Sequence, residues 1–167
     1  MKVNIGKYPK NPNKEQKISI QIDPWDTWNM DTTLALIVTP MLKQLKEKKH
    51  GAPYVDDEDV PEELRKSSAP PTKNEWDTDD NHFKRWDWVM DEMIFAFDSK
   101  SVAWEDTFWK RSPQIDFAET PEDEGKEFIE LRWSDLGECD WEARTAHHTR
   151  IANGFRLFGK YYEGLWD

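Results

Sequence analysis

The sequence predicts a single α+β domain over residues 1–167 that is predominantly α, with three long helices packed around a central Trp-rich helix and a small antiparallel β element. Helical periodicity of apolar residues predicts the main helices at residues 24–49, 79–98 and 140–165. Residues 1–22 instead alternate with the period of a strand. Ten Trp and eight Phe supply large apolar side chains, so 167 residues can form one substantial core.

The helix at residues 79–98 is expected to lie at the centre. It is preceded by residue types that start helices: Asp77, Asp79 and Asn81. Its main apolar face has residues at helical spacing: Phe83, Trp86, Met90, Met93 and Phe97. Because Trp88 and Phe95 lie off this face, neighbouring elements are expected to cover the helix on more than one side.

The first 22 residues predict a β-hairpin, since Ile18, Ile20 and Ile22 alternate with polar residues after a Pro-containing turn. The following helix, at residues 24–49, has Pro40 inside its apolar stripe. Proline lacks the N–H that a helix interior uses, which predicts a kink or a break just before it.

An acidic, Pro-rich loop is expected at residues 52–75, with six acids between residues 56 and 63. Between residues 99 and 140 the pattern leaves open a short helix and a hairpin of residues 115–119 with 127–133. The last helix has an apolar stripe at helical spacing: Ile151, Phe155, Phe158, Tyr162 and Leu165. Gly154 and Gly159 lie near its edges, where glycine permits close helix approach.

Composition limits the classes of function. The net charge of −11 opposes a coat on nucleic acid, because backbone binding needs a basic surface. One cysteine, Cys139, excludes an internal disulfide and indicates a reducing compartment, and its place at a helix start indicates a structural role. No apolar run approaches the roughly 20 residues that span a bilayer, and no leader peptide is expected.

A cationic stripe on the last helix is the first candidate site. It lies opposite the apolar face and comprises Thr149, Asn153, Arg156 and Lys160. Arginine offers forked donors to phosphate or carboxylate groups, so the stripe could hold an anion. The alternative is that these cations form salt bridges with the acidic remainder of the domain.

Three tryptophans without helical spacing partners form the second candidate: Trp25, Trp28 and Trp76. Such residues can stack on an aromatic ligand such as a base, whereas the spacing of Trp86 assigns that residue to the core. The alternative is that all of them are core residues.

Carboxylates offer a third candidate, for a divalent metal. The acidic loop and the cluster Asp77, Asp79 and Asp80 carry oxygen ligands, while Asp87, Asp91 and Glu92 lie on the central helix. The segment DTDDNH begins like a calcium loop but has His82 in place of its glycine and Trp88 in place of its final glutamate. The alternative is that helix capping explains the cluster at Asp77, Asp79 and Asp80, and that solvation or contact with a partner explains the acidic loop.

Four blocks carry a resemblance: IDPWDTWNMDTTLALIVTPMLKQLK, HGAPYVDDEDVPEELR, NEWDTDDNHFKRWDWVMDEMIFAF and NGFRLFGKYYEGLWD. They resemble a family of small uncharacterised proteins encoded by tailed bacteriophages, over most of the chain. The resemblance implies a phage gene product that acts in the cytoplasm of the infected host bacterium. It implies no activity, cofactor or catalytic residue.

The sequence therefore favours a phage-encoded, non-enzymatic accessory protein that binds a host protein or an anionic, nucleotide-like small molecule, with no cofactor. One alternative is a metal-dependent nucleotide phosphohydrolase that uses Asp87, Asp91, Glu92 or the acidic loop. A minor virion component is a further alternative. Membrane association is not expected, and a homodimer is left open.

Overall fold

The computed structural model describes residues 1–7, 9–11, 13–74, 76–116 and 132–166. Most of the regular structure is helical, and the strands form small antiparallel pairs. The three long helices are α1 (Met30–Lys48), α2 (His82–Asp98) and α3 (Trp141–Lys160). Along the described parts of the chain, no helix is long and apolar enough to cross a membrane.

The expected N-terminal β element is present. Strand β1 (Lys2–Ile5) pairs antiparallel with β2 (Ile18–Gln21), and Val3 faces Ile20 in the register. The alternating isoleucines do not enter the core, because Ile18 and Ile20 are 60% and 58% exposed. The hairpin is thus a two-stranded ribbon with an apolar surface exposed to solvent.

Helix α1 begins later than the sequence indicates and is not broken by its proline. Residues Pro24–Thr27 form a separate 3₁₀ turn, capped by the Asp23 carboxylate, and the α-helix starts at Met30. It continues through Pro40, so the expected break is absent. Leu36, whose carbonyl would accept the missing N–H, is exposed. The proline thus removes one backbone hydrogen bond on the exposed side of the helix, and the rest of the helix is kept.

Helix α2 supplies most of the core and packs against both α1 and α3. Its fully buried apolar side chains are Trp86, Val89, Met90, Met93 and Ala96. Phe83, which the spacing assigns to the same face, is 49% exposed because it lies in the first turn, at the edge of the domain. The helix starts at His82 rather than residue 79, and the Asp79 carboxylate accepts the Asn81 N–H at 2.9 Å just before it.

Helix α3 lies close against α2 at a glycine. A Cβ at Gly154 would lie 2.3 Å from the Glu92 carbonyl oxygen, so only glycine fits this approach. At Gly159, by contrast, an added Cβ meets no atom within 4 Å. The α-helix ends at Lys160, and Tyr162–Gly164 continue as a 3₁₀ turn instead of extending the helix to residue 165.

The segment between α2 and α3 contains short strands. Strand β3 (Trp109–Arg111) pairs with β6 (Glu138–Cys139), and β4 (Gln114–Asp116) pairs with β5 (Arg132–Asp135). A 3₁₀ helix at Trp104–Phe108 occupies the place of the expected short helix. The predicted hairpin is thus observed at its base, where Ile115 faces Trp133, and its remainder lies outside the described residues.

Candidate functional site

The acidic loop is held against the C-terminal part of α3. Asp57–Asp59 form a 3₁₀ turn that carries the Asp59 side chain into the interior. The Tyr161 hydroxyl donates a hydrogen bond to Asp59 Oδ2 at 2.6 Å and accepts one from the Asp56 backbone N–H at 3.0 Å. Tyr161 also packs edge-on against Trp86, which couples the loop to the core.

Two cations of the predicted stripe complete this network. Lys160 Nζ lies 2.8 Å from Asp56, 3.2 Å from Glu58 and 2.6 Å from Asp59. The guanidinium group of Arg156 lies 2.7 Å from the second oxygen of Asp59. We call these six residues the loop–helix network: Asp56, Glu58, Asp59, Arg156, Lys160 and Tyr161.

The electrostatics of the network follow from this geometry. Burial raises the pKa of Asp59, but its bonds from Lys160, Tyr161 and Arg156 outweigh burial and hold the pKa below its usual value. Hydrogen bonds from Asp56 and Asp59 raise the pKa of Lys160. Burial and the bond to Asp59 raise the pKa of Tyr161 to about 12. At neutral pH, Asp59 and Lys160 are charged and the Tyr161 hydroxyl is neutral.

The predicted cationic stripe therefore makes internal contacts. Asn153 accepts two hydrogen bonds from Arg156, at 3.0 and 2.8 Å, and the Thr149 hydroxyl donates to the Thr145 carbonyl one helical turn back. Salt bridges to the acidic part of the domain were the alternative to anion binding, and Arg156 and Lys160 form such salt bridges with Asp59. Anion binding by this stripe remains a prediction, and an anion would have to compete with the acidic loop.

The same network contains three acidic side chains whose oxygens are close enough together to hold a metal ion. Oxygens of Asp56, Glu58 and Asp59 lie within 4.8 Å of one another. The Lys160 ammonium lies among these oxygens and supplies the positive charge that they require. A divalent cation would have to displace it, since both would occupy the same oxygen ligands.

The carboxylates of the central helix that were considered for metal or acid–base chemistry also form internal ion pairs. Asp87 binds Lys49 at 2.5 Å, and Asp91 binds Lys46. Glu92 is buried and is bound by the Arg150 guanidinium through both of its oxygens at 2.7 to 3.0 Å. These pairs connect α2 to α1 on one side and to α3 on the other.

The three candidate tryptophans are exposed but do not share one site. Trp25 and Trp28 contact each other before α1, with ring centroids 6.0 Å apart. Trp76 is 92% exposed and lines a polar cleft of about 390 Å³ in front of α2. This cleft and the loop–helix network share Asp56, whereas neither includes Trp25 or Trp28. Ligand stacking by these residues remains a prediction.

An apolar groove lies between α1 and the C-terminal segment (residues 158–166), and the sequence did not indicate it. Its volume is about 570 Å³ and its lining residues are Val38, Met41, Leu42, Leu45, Phe158, Tyr162, Leu165 and Trp166. Most of this lining belongs to the predicted apolar stripes of the first and last helices, whereas Leu42 and Trp166 lie outside both stripes. Helical spacing predicts that each stripe is buried. It does not predict which two stripes face each other or that a gap remains between them.

Known proteins offer no further guidance to the site. No protein-family model matches the sequence, and neither curated proteins nor solved structures give a significant match. The relationship to tailed-phage proteins therefore remains a prediction from the sequence blocks.

Proposed function

We propose that this protein is a non-enzymatic binding protein that holds an apolar segment of a partner protein in the groove between α1 and the C-terminal segment. The main support is that the groove is open and that its walls consist of exposed apolar side chains. Met41, Tyr162 and Trp166 are 61%, 64% and 58% exposed on the walls of one groove. Covering such side chains with apolar atoms stabilises a complex by about 25 cal/mol for each Å² removed from water.

The groove suits a protein segment better than a small molecule. Sites for small molecules place a few polar groups to orient the ligand and enclose most of its surface. Among the described residues, the lining carries no charged side chain, and three of the lining side chains are more than half exposed. An open apolar channel beside a helix is the arrangement that accepts an amphipathic helix.

The internal ion pairs support a protein partner over the two alternatives. An anionic ligand needs Arg156 and Lys160, which bind the acidic loop, and a hydrolase needs carboxylates that instead bind Lys49, Lys46 and Arg150. A partner that binds in the groove does not have to break any of these ion pairs. The resemblance to phage proteins adds the expectation that the partner is a host protein in the infected bacterium.

Photocrosslinking tests this proposal. A Met41→benzoylphenylalanine variant places the reactive group in the groove, and a Leu136→benzoylphenylalanine variant serves as the control on another exposed apolar residue, 75% exposed. We expect one discrete adduct in bacterial cells from position 41. This adduct should disappear when the wild-type protein, which lacks benzoylphenylalanine, is co-expressed in excess. Equal adduct patterns from both positions would contradict a specific groove partner. An adduct of two copies would identify the partner as a second copy of this chain.

A further inference from the structure

We infer that the partner segment is a basic amphipathic helix, whose apolar face fills the groove and whose arginine or lysine side chain enters the polar cleft beside it. This inference rests on the proposed function, because it names the chemistry of the partner for the same groove. It adds a second contact site, the cleft in front of α2, and a charge requirement that the groove alone does not impose.

The cleft has the chemistry of a site for an organic cation. Tyr54 and Trp76 line it and are 84% and 92% exposed, so their rings are accessible to a ligand. Its lining also includes four carboxylates: Asp56, Asp57, Asp77 and Asp79. The faces of aromatic rings attract cations, and neighbouring carboxylates accept hydrogen bonds from guanidinium or ammonium groups.

The cleft retains an excess of negative charge after its own cations are considered. Arg85 binds both oxygens of Asp79, at 2.9 and 2.7 Å, and the two side chains are 4% and 7% exposed. This pair is therefore internal and contributes no net charge. Lys66 is the other cation of the lining, against Asp57, Asp77 and Asp56, and only Asp56 among these three also binds Lys160, while staying 63% exposed. The net charge of −11 for the chain acts in the same direction.

The lysines of α1 near the groove do not oppose a basic partner. Lys43 and Lys46 of α1, and Lys49 just after it, bind Asp98, Asp91 and Asp87 of α2 respectively, and Lys48 binds its neighbour Glu47. Since each lysine has an acidic partner, α1 presents no strip of unpaired positive charge along this side of the groove. A basic helix can therefore approach without strong repulsion.

The groove and the cleft are close enough for one helix to contact both. A Cβ at Gly51 would lie 3.7 Å from the ring of Trp166, a groove residue. Tyr54 follows three residues later, so its Cα lies within about 11 Å of Gly51. A helix of about 10 residues is about 15 Å long. It is therefore long enough to reach from Trp166 in the groove to Tyr54 in the cleft.

Designed peptides of about 14 residues test the inference. Three share one leucine face and differ only in the opposite face, which carries arginine, glutamine or glutamate. A fourth has the arginines without the leucines. We expect the arginine–leucine peptide to bind about tenfold more tightly than the glutamine peptide in calorimetry, and the glutamate peptide to bind least.

Variants assign the effect to each site. Met41→Glu should abolish binding of every leucine-bearing peptide. Trp76→Ala should weaken only the arginine–leucine peptide, by about two- to fivefold. The double variant Asp57→Asn, Asp77→Asn should also weaken only that peptide, because asparagine keeps an acceptor without the charge. Glu142→Gln is the control for losing a negative charge away from the cleft: it is exposed on the first turn of α3, about 24 Å along the helix axis from Phe158.

The possible failures can be told apart. Equal binding of the arginine–leucine and glutamine peptides, both lost in Met41→Glu, would overturn the cation requirement and leave the groove proposal intact. Tight binding of the peptide without leucines would mean adsorption by net charge and would overturn the inference. If no peptide responded to Met41→Glu, the proposed function itself would fail.

Discussion

Helix α2 has two neighbours, and they meet it differently. Against α3 the interface is closed: Gly154 brings the backbones together, and Phe97 packs edge-on between Phe155 and Phe158 at 5.1 and 4.8 Å. Helix α1 also packs on α2, but the contact between α1 and the C-terminal segment is incomplete, and the groove lies between them. Leu157 on the closed side is fully buried, whereas Met41 on the open side is 61% exposed.

The difference indicates how this chain uses its apolar residues. Side chains at the α2–α3 interface are fully used in folding, because removing them leaves a cavity that the packed core cannot refill. The exposed walls of the groove contribute little to the stability of the isolated chain and remain available for a partner. Four tests, given from the largest expected effect to the smallest, examine this contrast and the loop–helix network.

The most direct test truncates one side chain in the closed α2–α3 interface and one in the wall of the groove. Leu157→Ala should lower the free energy of unfolding by about 2–5 kcal/mol, since it opens a cavity in a closed interface. Met41→Ala should change it by less than about 0.5 kcal/mol, as is usual for exposed positions. Urea denaturation of both variants measures the difference. A comparable loss in Met41→Ala would mean that the groove is part of the core.

The close approach of α3 to α2 is tested at its glycine. Gly154→Ala should cost about 1–3 kcal/mol, because the new Cβ would overlap the backbone of α2 and force the helices apart. The matched change Gly159→Ala meets no atom within 4 Å and should stabilise the helix by up to about 1 kcal/mol. Thermal unfolding should therefore move in opposite directions, and a shift of the same sign in both variants would argue against the tight contact.

The loop–helix network is tested at its buried carboxylate. Asp59→Asn removes the charge that Arg156 and Lys160 bind, so we expect a loss of about 1–3 kcal/mol at pH 7. Because folding lowers the pKa of Asp59, its stabilising contribution is present above pH about 4 and is lost as the pH falls through the lowered value. The difference between wild type and Asp59→Asn in urea should therefore shrink toward pH 3. A constant difference would exclude the charge as its cause.

The smallest expected effect concerns the tyrosine of the same network. Tyr161→Phe removes the bond to Asp59 and should cost about 1 kcal/mol near neutral pH. Folding raises the pKa of Tyr161 to about 12, so the stability from its neutral hydroxyl is complete below pH about 10 and is lost as the pH approaches 12. Tyr162→Phe, at a neighbouring side chain that is 64% exposed, is the control. It should not show the loss near neutral pH, and because it keeps Tyr161 it should retain the decline in stability toward pH 12.

Periodicity located the helices because it reflects burial of one face, which is a property of the segment itself. The fully buried Trp86, Met90 and Met93 are at the predicted spacing. Element ends and continuity were less predictable: α2 starts after the turn that Asp79 closes, and α1 passes through Pro40, where a single carbonyl, that of the exposed residue Leu36, loses its donor. Both outcomes depend on local hydrogen bonds and solvent access, which composition does not specify.

The sequence by itself determined that this protein is an acidic, predominantly helical α+β chain with an N-terminal hairpin and an aromatic-rich core, since charge and the periods of apolar residues are local properties. Only the tertiary structure decided that Arg156 and Lys160 bind the acidic loop nearly 100 residues earlier, and that two apolar stripes leave a groove between them. Ion pairs and grooves depend on which distant segments meet, and that is fixed by the packing of the whole core.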